Sequence, residues 1–206
     1  MAGQTLVSRN VGVCRIELIL GNIVEQEVDA IVNAANTKLA GGGGVDGAIH
    51  RAAGKALLDA CLSLSADEKG RRCPTGEVRV TEAGRLPARW VVHAVGPFYS
   101  ERYADKAERQ LRQVHDNILL AAVEKTCRSV ALPAISTGAY RFPLERAAVV
   151  ALVTVADFLK QHAKPEQVRF VLFKQSHFDV FANALNDILG FAPSRESQSG
   201  SSSDES

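Results

Sequence analysis

The chain of 206 residues carries 24 Lys and Arg against 23 Asp and Glu, and 46% of its residues are hydrophobic. This composition predicts one globular domain with a large core, and a net charge of +1 indicates neither a general nucleic-acid surface nor a membrane surface. The four cysteines stand far apart, with no CxxC pair or zinc-type Cys/His spacing, so we expect no bound metal and a reducing, cytoplasmic compartment.

Strand-like and helix-like stretches alternate along the chain. In order, we expect strands at 11–20 and 28–32, a helix at 48–63, strands at 77–82 and 89–95, a helix at 104–125, a strand at 129–135, a helix at 144–159, a strand at 168–173 and a helix at 177–189. This alternation predicts a three-layer α/β/α sandwich around a largely parallel sheet, in which ligands bind beyond the carboxyl ends of the strands. Residues 1–191 would form the single domain, and we expect the Ser-rich segment 192–206 to be disordered because it has too few apolar residues to join a core.

Four consecutive glycines, 41–44, lie between a buried strand and a helix. Such a run is costly to order, and it is tolerated either in a flexible connection or where the backbone approaches a ligand closely. In the second case its N–H groups can face an anion near the helix N-terminus. Asn33, Asn36, Asp46 and His50 surround the run, and these polar side chains favour a ligand site over a plain linker.

Gly42, Gly44 and Gly47 also match the G-x-G-x-x-G pattern of dinucleotide-binding folds. That pattern normally turns directly from a strand into a helix, whereas residues 33–40 separate the strand from the glycines here. No strand with an acidic end follows at the expected distance, and the sequence has no GxxxxGK[ST] loop. The sequence therefore disfavours a nicotinamide-dinucleotide site.

Four longer motifs follow one another in the sequence: V-N-A-A-N to H-R-A-A-G at 32–54, C-P-T-G-E at 73–77, V-V-H-A-V-G-P at 91–97 and L-P-A-I-S-T-G-A-Y at 132–140. In order and spacing they resemble the macrodomain family, in particular its MacroD-like ADP-ribosyl hydrolase branch. The resemblance extends from about residue 15 to residue 189. It implies a mixed sheet of six or seven strands between helices, with ADP-ribose bound at the strand ends.

The resemblance assigns the diphosphate to two loops. The backbone of Gly43, Gly44 and Val45 would hold it through N–H groups. A second loop would close over the diphosphate from the other side. This loop consists of Ser136, Thr137, Gly138, Ala139 and Tyr140. The Tyr140 ring would also cover the distal ribose, although a half-buried loop aromatic explains that residue equally well.

At the adenine end the resemblance assigns Asn22, Ile23 and Phe173. Phe173 would stack on the base, whereas its residue type alone predicts a core position. Two residues depart from the family pattern: Asn22 replaces the usual Asp that accepts the adenine amino group, and Arg141 stands in the second loop where glycine is usual. We expect the first change to weaken selectivity for adenine and the second to add a cation at the rim of the site.

The resemblance gives Asp46, Asn36 and His50 catalytic roles. Asp46 would position or activate a water at the distal ribose, and Asn36 would hold ribose hydroxyls. Asp46 could also cap the following helix, because Asp is a favoured N-cap residue. His50 follows Asp46 by four residues and so lies on the same helix face, where it could orient the carboxylate or be an ordinary half-buried histidine.

Two further polar residues lie near these motifs. We expect Asn33 to tie the loop backbone together and His93, in its apolar strand, to be a hydrogen-bonded core histidine. The sequence thus predicts a cofactor-free monomeric hydrolase of ADP-ribosyl esters, acting on O-acetyl-ADP-ribose or on mono-ADP-ribosylated proteins. A module that reads ADP-ribose without turnover is the alternative, and the carboxylate of Asp46 favours catalysis.

Overall fold

The structure is a computed structural model that describes residues 6–190. Within this range it contains seven strands, five α-helices and two short 3-10 turns, Ile23–Glu25 and Glu101–Tyr103. In chain order the main elements are β1 (Leu6–Val11), β2 (Cys14–Leu20), β3 (Ala30–Ala34), α1 (Gly44–Ala53), α2 (Lys55–Ser63), β4 (Val78–Glu82), β5 (Trp90–Ala94), α3 (Ala104–Glu124), β6 (Ser129–Leu132), α4 (Leu144–His162), β7 (Gln167–Leu172) and α5 (Gln175–Leu189). The Ser-rich segment 192–206, for which we predict disorder, lies outside the described residues.

The seven strands form one sheet in the order β1-β2-β7-β6-β3-β5-β4. The five middle strands run parallel, while β1 and β4 pair antiparallel at the edges. The predicted mixed sheet is therefore confirmed. The single strand expected at 11–20 is wrong, because Gly12 and Val13 form a turn, with Gly12 at φ +60°, and the residues before it form β1.

Helices cover both faces of the sheet, because successive residues of a strand point to opposite sides. Val32 and Phe170 belong to the larger core under α3, α4 and α5, whereas Ile31 and Val171 belong to the smaller core under α1 and α2. Phe170 is fully buried, with its ring centroid 5.4 Å from that of Phe181. Burying one such side chain contributes about 1.5–3 kcal/mol. The expected three-layer sandwich is confirmed.

The helix expected at 48–63 is instead two helices. Gly54 separates them with φ +88°, a conformation that an α-helix cannot continue. A Cβ at this position would also lie 2.9 Å from the guanidinium carbon of Arg85, but that flexible side chain can move, so the positive φ is what favours glycine here. The first helix also begins earlier than expected, at Gly44, and this brings the last glycine of the run into α1.

The parallel strands have their carboxyl ends along one edge of the sheet. The segments that follow β2, β7, β6 and β3 therefore emerge side by side, in that spatial order. These segments contain many of the residues expected at the site: Asn22, Phe173, the loop at 136–140 and the glycine-rich run at 35–44. Within residues 6–190, no helix has the length and apolar character needed to cross a membrane.

Candidate functional site

The loop between β3 and α1, residues 35–43, is here named the glycine loop. Asn36 shapes it, because its Nδ2 donates to the Gly41 carbonyl at 2.9 Å and its Oδ1 accepts from the Lys38 N–H at 3.0 Å. Leu39 adopts φ +53°, and its side chain is buried in a small apolar cluster behind the loop. The contacts of Asn36 are thus with the loop backbone, and its role toward ribose hydroxyls stays a prediction.

Three glycines at the end of this loop and in the first turn of α1 lie where a side chain would be strained or crowded. Gly44 has φ +57°, which glycine adopts without steric cost. A Cβ on Gly47 would lie 2.5 Å from the Gly42 carbonyl oxygen, and a Cβ on Gly42 would lie 2.9 Å from Asp46 Oδ2. In the described part of the chain, no backbone carbonyl accepts from the N–H groups of residues 41–43. These donors, beside the positive end of α1, suit an anion such as a diphosphate.

Asp46 lies in the first turn of α1 and is only 6% exposed. The expectation that it caps the helix is wrong, because the helix starts earlier and its N-cap is Gly43. Asp46 Oδ1 accepts from Asn33 Nδ2 at 2.7 Å, a length typical of charge-assisted hydrogen bonds. His50 Nε2 lies 3.4 Å from the same oxygen on the shared helix face, as expected, although its geometry is not that of a hydrogen bond. Oδ2 faces Gly42.

A buried polar layer lies behind Asp46. We expected Asn33 to tie the loop backbone, and this is wrong: its Nδ2 contacts Asp46 and lies 3.2 Å from His93 Nδ1. The expectation that His93 is a hydrogen-bonded core residue is confirmed, because it is fully buried and its Nε2 lies 2.9 Å from Thr81 Oγ1. Burial, together with the nearby His50 ring, lowers the pKa of His93 to about 3, so its ring is neutral near neutral pH.

The second loop, residues 133–143, connects β6 to α4 and emerges beside the glycine loop, because β6 and β3 are paired parallel strands. Ser136 takes φ +67° at its start. The chain after β5 passes close to it at Gly96, where a Cβ would overlap the Ser136 hydroxyl. Among residues 6–190, no backbone carbonyl accepts from the N–H groups of residues 136–140. These N–H groups are therefore without a backbone acceptor, and their contact with a diphosphate stays a prediction.

Tyr140 of the second loop lies within electrostatic reach of Asp46. The Tyr140 side chain is half-buried, and burial together with the charge of Asp46 raises the pKa of its hydroxyl. Phe98 is 59% exposed beside it, with ring centroids 6.2 Å apart. The two aromatic rings thus stand at the same end of the site as the carboxylate.

The other end of the site is formed by the residues after β2 and β7, which pair side by side. Phe173 is 79% exposed, so the core position that its residue type predicts is wrong and its ring is free to stack on a base. Asn22 Nδ2 donates to Glu25 Oε1 at 3.0 Å, and its Oδ1 accepts from the Val24 N–H at 3.3 Å. The Ile23 side chain is buried in the smaller core, so only its backbone can meet a ligand.

Residues 32–151 match the family model of the Macro domain. The chain belongs to the macrodomain family. It is 49% identical over 171 residues to O-acetyl-ADP-ribose deacetylase of Salmonella typhimurium, covering 83% of this chain and 94% of that protein. The Oceanobacillus iheyensis macrodomain with ADP superposes with a TM-score of 0.87 at 36% identity, covering 92% of this chain and 99% of that one. A mutant of the same macrodomain with ADP-ribose superposes with a TM-score of 0.86 at 36% identity, covering 91% and 100%.

Arg141 has a structural consequence in this macrodomain. Its backbone lies at φ +58°, a conformation that costs a non-glycine residue about 1 kcal/mol.

Sequence reasoning missed three residues near the site, Thr81, Gly96 and Phe98. Gly96 lies within a motif that the sequence displays, but nothing in the sequence distinguishes Thr81 from other strand residues.

Three potential metal ligands of the macrodomain lie close together. Atoms of His50, Cys61 and His93 are within 4.8 Å of one another, a grouping that their spacing in the chain did not reveal. Both nitrogens of His93 already have hydrogen-bonding neighbours, Asn33 and Thr81. Burial, with the charge of the nearby carboxylate, raises the pKa of the Cys61 thiol to about 11. Holding an ion here would therefore require loss of the thiol proton and of a hydrogen bond.

Proposed function

We propose that this macrodomain binds ADP-ribose along the carboxyl edge of its sheet and hydrolyses ADP-ribosyl esters. The substrates would be O-acetyl-ADP-ribose and proteins mono-ADP-ribosylated on acidic side chains. The observation that carries this proposal is the buried carboxylate of Asp46 beside two loops with free backbone N–H groups. The name of the Salmonella relative, O-acetyl-ADP-ribose deacetylase, supports the same reaction.

The order of the strands supports one direction for the ligand along the sheet edge. From β2 to β3 the edge presents first Asn22 and Phe173, then the second loop, then the glycine loop and Asp46. Adenine would lie against the exposed Phe173 ring, because base–aromatic stacking contributes about 1–3 kcal/mol. The diphosphate would lie between the two loops, and the distal ribose would lie at Asp46 and Tyr140.

At the distal ribose, Asp46 would act as the base for a water molecule. Asn33 holds Oδ1, so Oδ2, which faces Gly42, is the oxygen left to accept a proton from water. The hydroxide formed adds to the acyl carbon of the ester, the bond from that carbon to the ribose oxygen breaks, and the proton passes to the leaving oxygen. Asn36 would bind ribose hydroxyls, and His50 would help to orient the carboxylate.

A module that only reads ADP-ribose is the competing function. Such a module needs the N–H donors of the two loops but has no use for a buried carboxylate, which costs energy beside a diphosphate. The test is to incubate the protein with O-acetyl-ADP-ribose and, separately, with an auto-modified ADP-ribosyltransferase, and to follow release of ADP-ribose. We expect release from both substrates. Binding of ADP-ribose by calorimetry without any release would establish the reader.

We also propose that the protein is a single-domain monomer of a reducing, cytoplasmic compartment. The four cysteines are all buried free thiols, which supports that environment. Sedimentation at several concentrations would test the monomer, and a mass that rises with concentration would refute it.

A further inference from the structure

A line of hydrogen-bonding side chains crosses the buried layer from β4 to the site. Thr81 Oγ1 lies 2.9 Å from His93 Nε2, His93 Nδ1 lies 3.2 Å from Asn33 Nδ2, and that nitrogen donates to Asp46 Oδ1 at 2.7 Å. The four residues are at most 7% exposed. We propose that His93, held by Thr81, is a positioning residue that fixes the Asn33 amide and through it the Asp46 carboxylate. This inference rests on the proposed catalytic role of Asp46.

The pairing of the sheet brings the line together. Asn33 and His93 are register partners on the adjacent parallel strands β3 and β5, so their side chains emerge next to each other on the same face. Thr81 reaches the ring from β4, the antiparallel neighbour of β5. All three groups are therefore attached to the rigid sheet rather than to a loop, which suits a positioning role.

In each hydrogen bond of the line, the donor and the acceptor are determined. The Asp46 carboxylate can only accept, so Asn33 must turn Nδ2 toward it rather than Oδ1. The second hydrogen of that nitrogen faces His93 Nδ1, which must therefore be the acceptor, and the ring proton lies on Nε2 facing Thr81. The Thr81 hydroxyl in turn donates to the Glu82 carbonyl at 3.2 Å. The amide of Asn33 is thereby held in one orientation.

The line requires a neutral His93, because a hydrogen on Nδ1 would oppose the hydrogens of Asn33. The titratable groups near the ring are His50 on α1, Cys61 on α2 and Asp46, whose carboxylate is separated from the ring by the Asn33 amide. Burial and the His50 ring keep the pKa of His93 at about 3. The acceptor is therefore present throughout the pH range of an ordinary assay.

The Asn33 amide depends on His93 because it has few other hydrogen-bond partners. Its Oδ1 has no hydrogen-bond partner among the described residues, so His93 and Asp46 are the side chains that hold the amide. Without the acceptor, the amide can turn about its last torsion and the carboxylate loses a fixed partner. A misplacement of about 1 Å at a reacting group can cost a hundredfold in rate, so we expect a partial misplacement to cost about tenfold.

Two substitutions distinguish the roles of the two ring nitrogens of His93. In His93→Asn the side-chain oxygen can take the place of Nδ1 and accept from Asn33. In His93→Gln the terminal nitrogen can take the place of Nε2 and face Thr81, but no acceptor remains beside Asn33. With O-acetyl-ADP-ribose we expect His93→Asn to keep kcat within about threefold of wild type, and His93→Gln to lower kcat about tenfold with little change in KM.

Cys61→Ala is the matched control for packing. The Cys61 sulfur lies 3.4 Å from His93 Nε2, so this truncation loosens the same pocket without removing a member of the line. We expect its kcat to match wild type. If His93→Gln does not fold, Thr81→Val replaces it, because this change removes the partner of Nε2 while keeping the shape of the side chain. We expect Thr81→Val to lower kcat about fivefold, which lies outside the range expected for His93→Asn, and a wild-type kcat in Thr81→Val would overturn the positioning role.

A measurement without turnover completes the test. The side-chain amide protons of Asn33, followed by ¹H–¹⁵N NMR, should exchange slowly with solvent in wild type and His93→Asn and faster in His93→Gln. Equal kcat and equal exchange in the two His93 variants would overturn the positioning role. The predicted difference in exchange, in a protein that binds ADP-ribose but releases none from esters, would instead refute the proposed function and keep the positioning role.

Discussion

Gly42→Ala tests the placement of the Asp46 carboxylate with a single added methyl group. The backbone at Gly42 does not have a positive φ, so alanine brings no backbone strain. Its Cβ would lie 2.9 Å from Asp46 Oδ2 and 3.8 Å from Asn36 Nδ2. Because an ordinary contact is about 3.4 Å or longer, the Asp46 carboxylate must move by about 0.5 Å, and this movement disturbs the hydrogen bond that its Oδ1 accepts from Asn33.

We expect this displacement to lower kcat for O-acetyl-ADP-ribose about tenfold, a rise of about 1.4 kcal/mol in the activation free energy. Gly43→Ala is the comparison, because a Cβ there meets no atom within 4 Å, and we expect a smaller loss of kcat. Steady-state kinetics measures both variants, and thermal unfolding checks that both are folded. A Gly42→Ala protein with wild-type kcat would refute the close approach of the glycine loop to the catalytic oxygen.

Three further predictions concern the ligand and the core. Phe173→Ala should weaken ADP-ribose binding about fivefold or more in calorimetry, because the stacking of the ring on adenine is lost. The unfolding temperature should not fall, because the ring is 79% exposed. An unchanged affinity would exclude stacking. Glu25→Ala frees the Asn22 amide to flip and should narrow the preference for ADP-ribose over its inosine counterpart in competitive binding. An unaltered preference would show that Asn22 does not read the base. Burial lowers the pKa of His115 from about 6.5 to about 4. Between these two pH values the unfolded chain binds a proton that the folded protein does not. The free energy of unfolding should therefore fall as the pH drops from about 6.5 toward 4. In His115→Leu this fall, measured by denaturant titration, should be smaller by about 1.4 kcal/mol per pH unit, and an identical slope would contradict the burial argument.

The sequence predicts most of the fold because its apolar periodicity is strong. Every middle strand and the three long helices lie where the pattern places them, within a few residues. The errors fall where one residue changes the chain direction. Gly12 turns a seemingly continuous strand into a hairpin, and Gly54 divides one helical pattern into two helices, because a positive φ is not visible in hydrophobic periodicity.

The site shows what a sequence cannot distinguish. Asn33 and Asn36 are the same residue type three positions apart, yet Asn36 bonds the loop backbone and Asn33 bonds Asp46, the reverse of the expectation for Asn33. The difference follows from pairing: Asn33 still belongs to β3 and lies beside His93 of β5, whereas Asn36 has left the sheet. Strand register is a property of the folded chain, so the pattern alone could not assign the two amides.

Asp46→Ala most directly tests whether this macrodomain is an enzyme. ADP-ribose affinity by calorimetry and turnover of O-acetyl-ADP-ribose are measured on the same preparation. We expect binding equal to or tighter than wild type, because a negative charge near the diphosphate is removed, and kcat lower by about a hundredfold or more. Retention of more than half of the wild-type turnover, with binding intact, would contradict the catalytic role of this carboxylate.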